Sequence, residues 1–320
     1  MRTIALEEHM LPADLADKVF SGNFLSERKP PAFILRALDE MGEGRLKVMD
    51  AAGIDVQVLS ATTPGSQQMS AADAVPLARQ LNDRAAQAVR AYPKRFQALA
   101  SLPTPDPRTA ADEARRAVEE LGFCGVSING HTQGRFLDAP EFDPMLAAIE
   151  KLGVPIYLHP TYPPPAVDEV YFSGLEPIIG VILSMAGWGW HAETGLHVLR
   201  MVMGGVFDRH PGLQVVVGHM GENLPFSLMR ADFTMSRARP GRPSVAETVR
   251  EHLHVTTCGY TTVPPLQCAP SVMGVDRVLF SVDYPYADTN EATAFLAQAP
   301  ISPADREKIA HGNAERLFKL

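Results

Sequence analysis

The sequence predicts an α/β protein built as a (β/α)8 TIM-type barrel. Three observations carry this: eight short apolar runs read as buried strands, helix-like segments fill most intervals between them, and polar residues gather just after several runs. The runs fall at 3–6, 56–60, 96–102, 125–128, 155–158, 213–217, 253–257 and 278–281, each bounded by turn residues. In the intervals, Leu77, Leu81, Ala88, Val89 and Tyr92 recur at helical spacing, as do Ala110, Ala114, Val118 and Leu121. A helix that stops at Pro or Gly before a buried strand is the pattern of an all-parallel sheet. An open doubly wound sheet is the competing architecture, but it carries a glycine-rich phosphate loop after its first strand. This chain has Glu7, Glu8 and His9 there. The 320 residues suffice for a barrel of ~250 residues with pocket-shaping insertions. With no fixed-period repeat and no low-complexity linker, one domain over 1–320 is expected.

Composition narrows the partners. A net charge of -8 and the absence of any Lys/Arg run argue against nucleic acid and against an anionic membrane surface, so a small molecule is expected. Cys124, Cys258 and Cys268 form no CxxC pair and leave an odd count, which predicts reduced thiols and a cytoplasmic protein. Charge arrives at Glu7 too early for a secretory apolar region. The apolar run 177–190 is shorter than the ~18 residues a membrane span needs and reads as a buried helix or a pocket wall.

In a barrel of this type the chemistry sits at the C-terminal ends of the strands. The first run leads into Glu7 and His9, which, two residues apart, face the mouth together while Glu8 faces outward. The fifth leads to His159, the sixth to His219 and Glu222, and the eighth to Asp283. Taken singly, each histidine is more simply a hydrogen-bonded core or surface residue. Together, charged groups ending several buried strands demand pairing or coordination. Glu7, His9, His159 and Asp283 offer two carboxylates and two imidazoles, a set that suits one Zn²⁺ or Mn²⁺ ion. His131, His191, His197, His210, His252, His254 and His311 are not placed so strictly and read as structural or solvated, although His131 and His191 are candidates to line the pocket. No lysine ends a predicted strand, which disfavours a Schiff-base lysine and a binuclear centre bridged by a carbamylated lysine.

With these residues in view, "ALEEH", "HP" after the fifth run, "GHMGENLP" and "FSVDYPY" resemble the amidohydrolase superfamily over nearly the whole chain. Within it they are similar to the metal-dependent, non-oxidative decarboxylases of hydroxylated benzoates. The Glu-x-His opening resembles the γ-resorcylate and 2,3-dihydroxybenzoate type, whereas "NGHTQGRFLD" and "DYPY" resemble the 5-carboxyvanillate type. The resemblance implies Glu7, His9, His159 and Asp283 at the metal, His219 paired with Glu222 beside it, and Asn129 and Arg230 in contact with substrate. It also implies a homodimer or homotetramer.

The chemistry follows from the functional groups. Loss of CO₂ from an arene carboxylate needs a proton at the ring carbon that bears it, and an ortho phenolate makes that carbon electron-rich. A metal that chelates the carboxylate and the ortho oxygen fixes orientation and favours the phenolate. Asp283 is then expected to take the phenolic proton and return it to the ring carbon, with His219, oriented by Glu222, holding the carboxylate. The alternative is a mononuclear hydrolase of a lactone, amide or activated C–C bond, with Asp283 as general base. Glu7 as a ligand blunts the acidity of a metal-bound water and tips the choice towards decarboxylation. A non-catalytic metal-binding scaffold would leave Asp283, His219 and Glu222 together without a use.

Overall fold

A computed structural model describes residues 1–320. Its eight strands are β1 (Ile4–Met10), β2 (Val56–Ala61), β3 (Phe96–Ser101), β4 (Gly125–Asn129), β5 (Ile156–His159), β6 (Val215–Val217), β7 (Leu253–Thr256) and β8 (Val278–Leu279). Each pairs in parallel with the next in sequence. A bridge between Leu6 and Ser281, with Leu6 N–H donating to Phe280 O, brings the last strand back to the first. This is the predicted (β/α)8 barrel.

Local chemistry sets the outer helices. Ser70 caps the helix Ala71–Ala91 by accepting from Asp73 N–H, and Asp106 caps Pro107–Glu119 by accepting from Thr109 N–H. Leu77, Leu81, Ala88, Ala110 and Ala114 face the barrel, as their spacing predicts. The helix Asp143–Leu152 stops at Gly153 with φ 64°, a left-handed cap that glycine adopts without strain, and leads into β5. Between helices and strands lies a cluster of 65 buried apolar residues. A second, smaller cluster fills the barrel itself, with Ile4, Leu6, Val58, Leu99, Tyr157, Val216 and Leu279 meeting Ala314 and Phe318 of the last helix.

One strand departs from simple alternation. Between Ala5 and Glu8, β1 gains a residue relative to β2, and Glu7 takes φ 60°. This is a β-bulge. Ile4 and Leu6 point into the barrel, and strict alternation would turn Glu8 inward next. The extra residue shifts the phase, so Glu7 and His9 face the mouth and Glu8 faces the helix layer.

The run 177–190 forms no buried helix. The helix Pro177–Ser184 exposes Ile178, Ile179 and Ile182, and Trp188 beyond it is also exposed, while Met185 packs on the core and Trp190 turns towards the mouth. Uncharged sequence here marks an apolar surface. No helix is long and apolar enough to cross a membrane.

Candidate active site

Four side chains from three strand ends converge at the barrel mouth. Glu7 Oε1 lies 3.1 Å from His159 Nε2, and His9 Nε2 lies 3.1 Å from Asp283 Oδ1. One donor atom from each of Glu7, His9, His159 and Asp283 falls within 4.8 Å of the other three. Glu7 and His9 are buried, and Glu7 Oε1 and His9 Nε2 have no hydrogen-bonding partner. Buried polar atoms without partners are costly, so a convergent set of them fits a cation. The far nitrogens fix the rings: Nδ1 of His159 donates to Pro160 O at 2.6 Å, and Nδ1 of His9 lies 3.2 Å from Ser60 Oγ. Each Nε2 is thereby turned to the cluster.

The charges agree with that use. Burial pushes the carboxyls of Glu7 and Asp283 up, but their imidazole neighbours outweigh it. His219 and His159 hold Glu7 below the ordinary range, and His219 and His9 hold Asp283 well below it. Burial lowers His9, which keeps it neutral as a ligand must be. Tyr157, two residues before His159 and on the same strand face, donates its hydroxyl to Glu7 Oε2. Burial and the Glu7 charge push that phenol well above its usual value, so it remains a donor.

His219 and Glu222 stand in a strained turn after β6. His219, Met220, Gly221, Glu222 and Asn223 all have positive φ, from 50° to 84°, and Asp283 has φ 81°. Non-glycine residues there cost energy and cluster at functional sites. Gly218 permits the approach, since a Cβ on it would meet Glu7 Oε2 at 2.6 Å. His219 Nδ1 pairs with Glu222 Oε1 at 2.7 Å, and its Nε2 points to Asp283 Oδ2 at 3.6 Å. Burial alone would lower His219, but the carboxylates of Glu222, Glu7 and Asp283 raise it well above the usual histidine range. Burial likewise opposes ionisation of Glu222, yet His219 and His191 bring its carboxyl down to about 2.

Several contributors escape a strand-end reading. His191, on the helix Gly189–Met203, places Nδ1 2.5 Å from Glu222 Oε2, so one carboxylate holds two imidazoles. Trp190 sets its ring edge-on to His159 with centroids 6.1 Å apart, and Tyr286 does the same to His9 at 5.6 Å. These residues sit in loops and on a helix, where no periodicity marks them. Tyr157 was findable, because it shares the inward phase of His159 in "IYLH". His131 stands apart from the Glu7, His9, His159 and Asp283 cluster: its Nδ1 accepts from Gly134 N–H and its Nε2 donates to Tyr162 O.

Asn129 is brought in and Arg230 is not. The β4–β5 register sets Asn129 beside His159, and its buried Oδ1 has no partner. Arg230 is exposed on the helix Leu224–Met235, and no hydrogen bond or ion pair ties its guanidinium to the cluster. It shares a stripe with Phe226, Met229 and Phe233, all exposed.

A barrel with this mouth defines a class, and the family comparison agrees: the model described as amidohydrolase matches residues 26–320, and the chain belongs to that family. Its relatives narrow the class to enzymes of the decarboxylase, or carboxy-lyase, type. The γ-resorcylate decarboxylase of Rhizobium sp. (strain MTP-10005) is 36% identical over 332 residues, covering 99% of this chain and 98% of the relative. The structure of 5-carboxyvanillate decarboxylase from Sphingomonas paucimobilis superposes with a TM-score of 0.93 at 32% identity, covering 100% and 99% of the two chains. That of dihydroxybenzoic acid decarboxylase from Polaromonas sp. JS666, with bound manganese and the inhibitor 2-nitroresorcinol, gives a TM-score of 0.90 at 33% identity and coverage of 100% and 97%.

Proposed function

We propose that the chain removes CO₂, without oxidation, from an ortho-hydroxylated aromatic carboxylate of the dihydroxybenzoate or carboxyvanillate type. The observation that carries this is the position of Asp283, whose oxygens lie between His9 and His219 at the strained end of the eighth strand. Glu7, His9, His159 and Asp283 would hold one divalent ion, Mn²⁺ or Zn²⁺, since the two carboxylates balance a dication and both metals accept oxygen and nitrogen donors. When bound, the ion supplies Lewis acidity towards the substrate carboxylate and ortho oxygen.

The protein's own groups then move one proton. Asp283, ionised at rest, accepts the phenolic proton as substrate binds and delivers it to the ring carbon that bears the carboxylate. The ring loses aromaticity, the carbon–carboxylate bond breaks, and its electron pair restores the ring as CO₂ departs. His219, charged and held by Glu222, binds the substrate carboxylate and offsets charge as the intermediate forms. Asn129 Oδ1, unpartnered beside His159, would accept from a substrate hydroxyl.

We infer a homodimer or homotetramer joined through the exposed apolar surface, and Arg230 would meet a substrate anion only across such a contact. Three unpaired cysteines support a reducing, cytoplasmic setting, and one barrel carrying the whole site supports a single domain over 1–320. The test is the Zn²⁺- or Mn²⁺-loaded protein against a panel including 2,6-dihydroxybenzoate, 2,3-dihydroxybenzoate and 5-carboxyvanillate. Ultraviolet loss of substrate with metal-dependent CO₂ release is expected for one member. Silence across the panel with metal bound stoichiometrically, and turnover of a lactone or amide instead, would favour hydrolysis.

A further inference from the structure

Behind His219 lies a thiol that the proposed chemistry does not use. Cys258, just after β7, is fully buried, with Sγ 3.6 Å from His219 Nε2. Asp283 divides its two oxygens between neighbours, Oδ1 lying 3.1 Å from His9 Nε2 and Oδ2 lying 3.6 Å from His219 Nε2. Glu7 Oε1, buried and unpartnered, also stands between two imidazoles, 3.1 Å from His159 and 3.9 Å from His219. Both carboxylates therefore serve two donor sets. One is Glu7, His9, His159 and Asp283, and the other is Glu7, His219, Cys258 and Asp283. In each, the donor atoms lie within 4.8 Å of one another.

We propose that the set of His219, Cys258, Glu7 and Asp283 is a second cation site, selective for thiophilic ions such as Zn²⁺ and Cd²⁺, whose filling inhibits the enzyme. It rests on the assignment of the first set as the catalytic metal site. The two sets differ in softness. The first offers only oxygen and nitrogen and accepts Mn²⁺ as readily as Zn²⁺, whereas a thiolate favours Zn²⁺ and Cd²⁺ over Mn²⁺. Carboxylates shared between two ions are the ordinary construction of paired metal sites. Binding releases the thiol proton of Cys258 and the Nε2 proton of the charged His219, whose freed nitrogen the ion then occupies. His219 then no longer meets the substrate carboxylate, so inhibition follows from the ligand set itself. Excess Mn²⁺ leaves the site empty, and excess Zn²⁺ fills it.

The experiment titrates the metal-free, full-length protein with Cd²⁺, following bound metal per chain by equilibrium dialysis and the ultraviolet charge-transfer band of a cadmium–thiolate bond. The first equivalent is expected to bind without the band and the second to bring it. In Cys258→Ser the band is absent and the second equivalent binds roughly 100-fold more weakly. In the double variant His9→Ala/His159→Ala the band comes with the first ion bound. A band that survives Cys258→Ser, no band at any loading, or a band with the first equivalent of the unaltered protein overturns the proposal. A first equivalent that persists unchanged in the double variant instead overturns the catalytic metal assignment. Turnover supplies the second readout: excess Zn²⁺ over one equivalent inhibits the unaltered enzyme about tenfold or more, and Cys258→Ser removes that dependence.

Discussion

Glu7 and Glu8 are adjacent, both fully buried, and separated in fate by the direction each faces. Glu7 stands among imidazoles at the barrel mouth, is held below the ordinary carboxylate range, and keeps one oxygen without a partner. Glu8 faces the helix layer, where both oxygens are taken: Oε1 accepts from Val282 N–H at 3.0 Å and Oε2 from Gln57 Nε2 at 2.9 Å. Gln57 Oε1 in turn accepts from Arg45 Nε, and Arg45 Nη1 donates to His9 O, both at 2.7 Å. The outer relay thus pins the backbone of His9 and the residue before Asp283. A buried carboxylate that is satisfied builds structure, and one left open among imidazoles is available for chemistry.

Three substitutions sharpen or break this contrast. Asp283→Asn, on the inner side, should remove the proton carrier and reduce turnover by about 10³-fold or more while the chain stays folded. Turnover assays beside circular dichroism check it, and substantial residual CO₂ release would break the shuttle role. Arg45→Met, on the outer side, should do the opposite. It strips the buried His9 O and Gln57 Oε1 of their donor, and leaving these two acceptors unsatisfied should cost about 3 kcal/mol of stability, measured by chemical denaturation. The protein that remains folded should keep its bound metal.

The smallest effect is a pH slope. Burial pushes the Glu8 carboxyl up to about 8 from 4.5, against the pull of Val282 N–H and Arg45. The fold therefore binds a proton that the unfolded chain has released. Stability from this group is complete below 4.5 and is lost as the pH rises through 8, at no more than about 1.4 kcal/mol per pH unit. Glu8→Gln should flatten the fall of Tm between pH 5 and pH 8. An unchanged slope would mean that Glu8 is already ionised across that range.

Much of the fold was legible because parallel barrel strands are buried on both faces and stand out as apolar runs. All eight lie within a few residues of their expected places, and the polar residues that follow them converge. The first strand is the instructive case. Two residues apart was the right reason to pair Glu7 with His9, but the bulge that turns them inward carries no composition mark, because a left-handed glutamate looks like any other. His191 was legible only as a candidate to line the pocket, because its partner Glu222 lies 31 residues away in a turn set by tertiary contact. Of the two readings of the run 177–190, the buried helix fails and the pocket wall holds at Trp190, because uncharged sequence marks apolar surroundings and does not say whether they belong to the core or to the surface.

The bulge at Glu7 has a consequence for anyone who would move this site into another barrel. It separates the floor, packed by Ile4 and Leu6, from the mouth, armed by Glu7 and His9, so the two halves of one strand keep independent frames. Floor residues can be exchanged without re-aiming the donors above them. A graft that copies the ligands into an unbulged strand would point them at the helices, and the transplantable unit is therefore the irregularity together with the residues it carries.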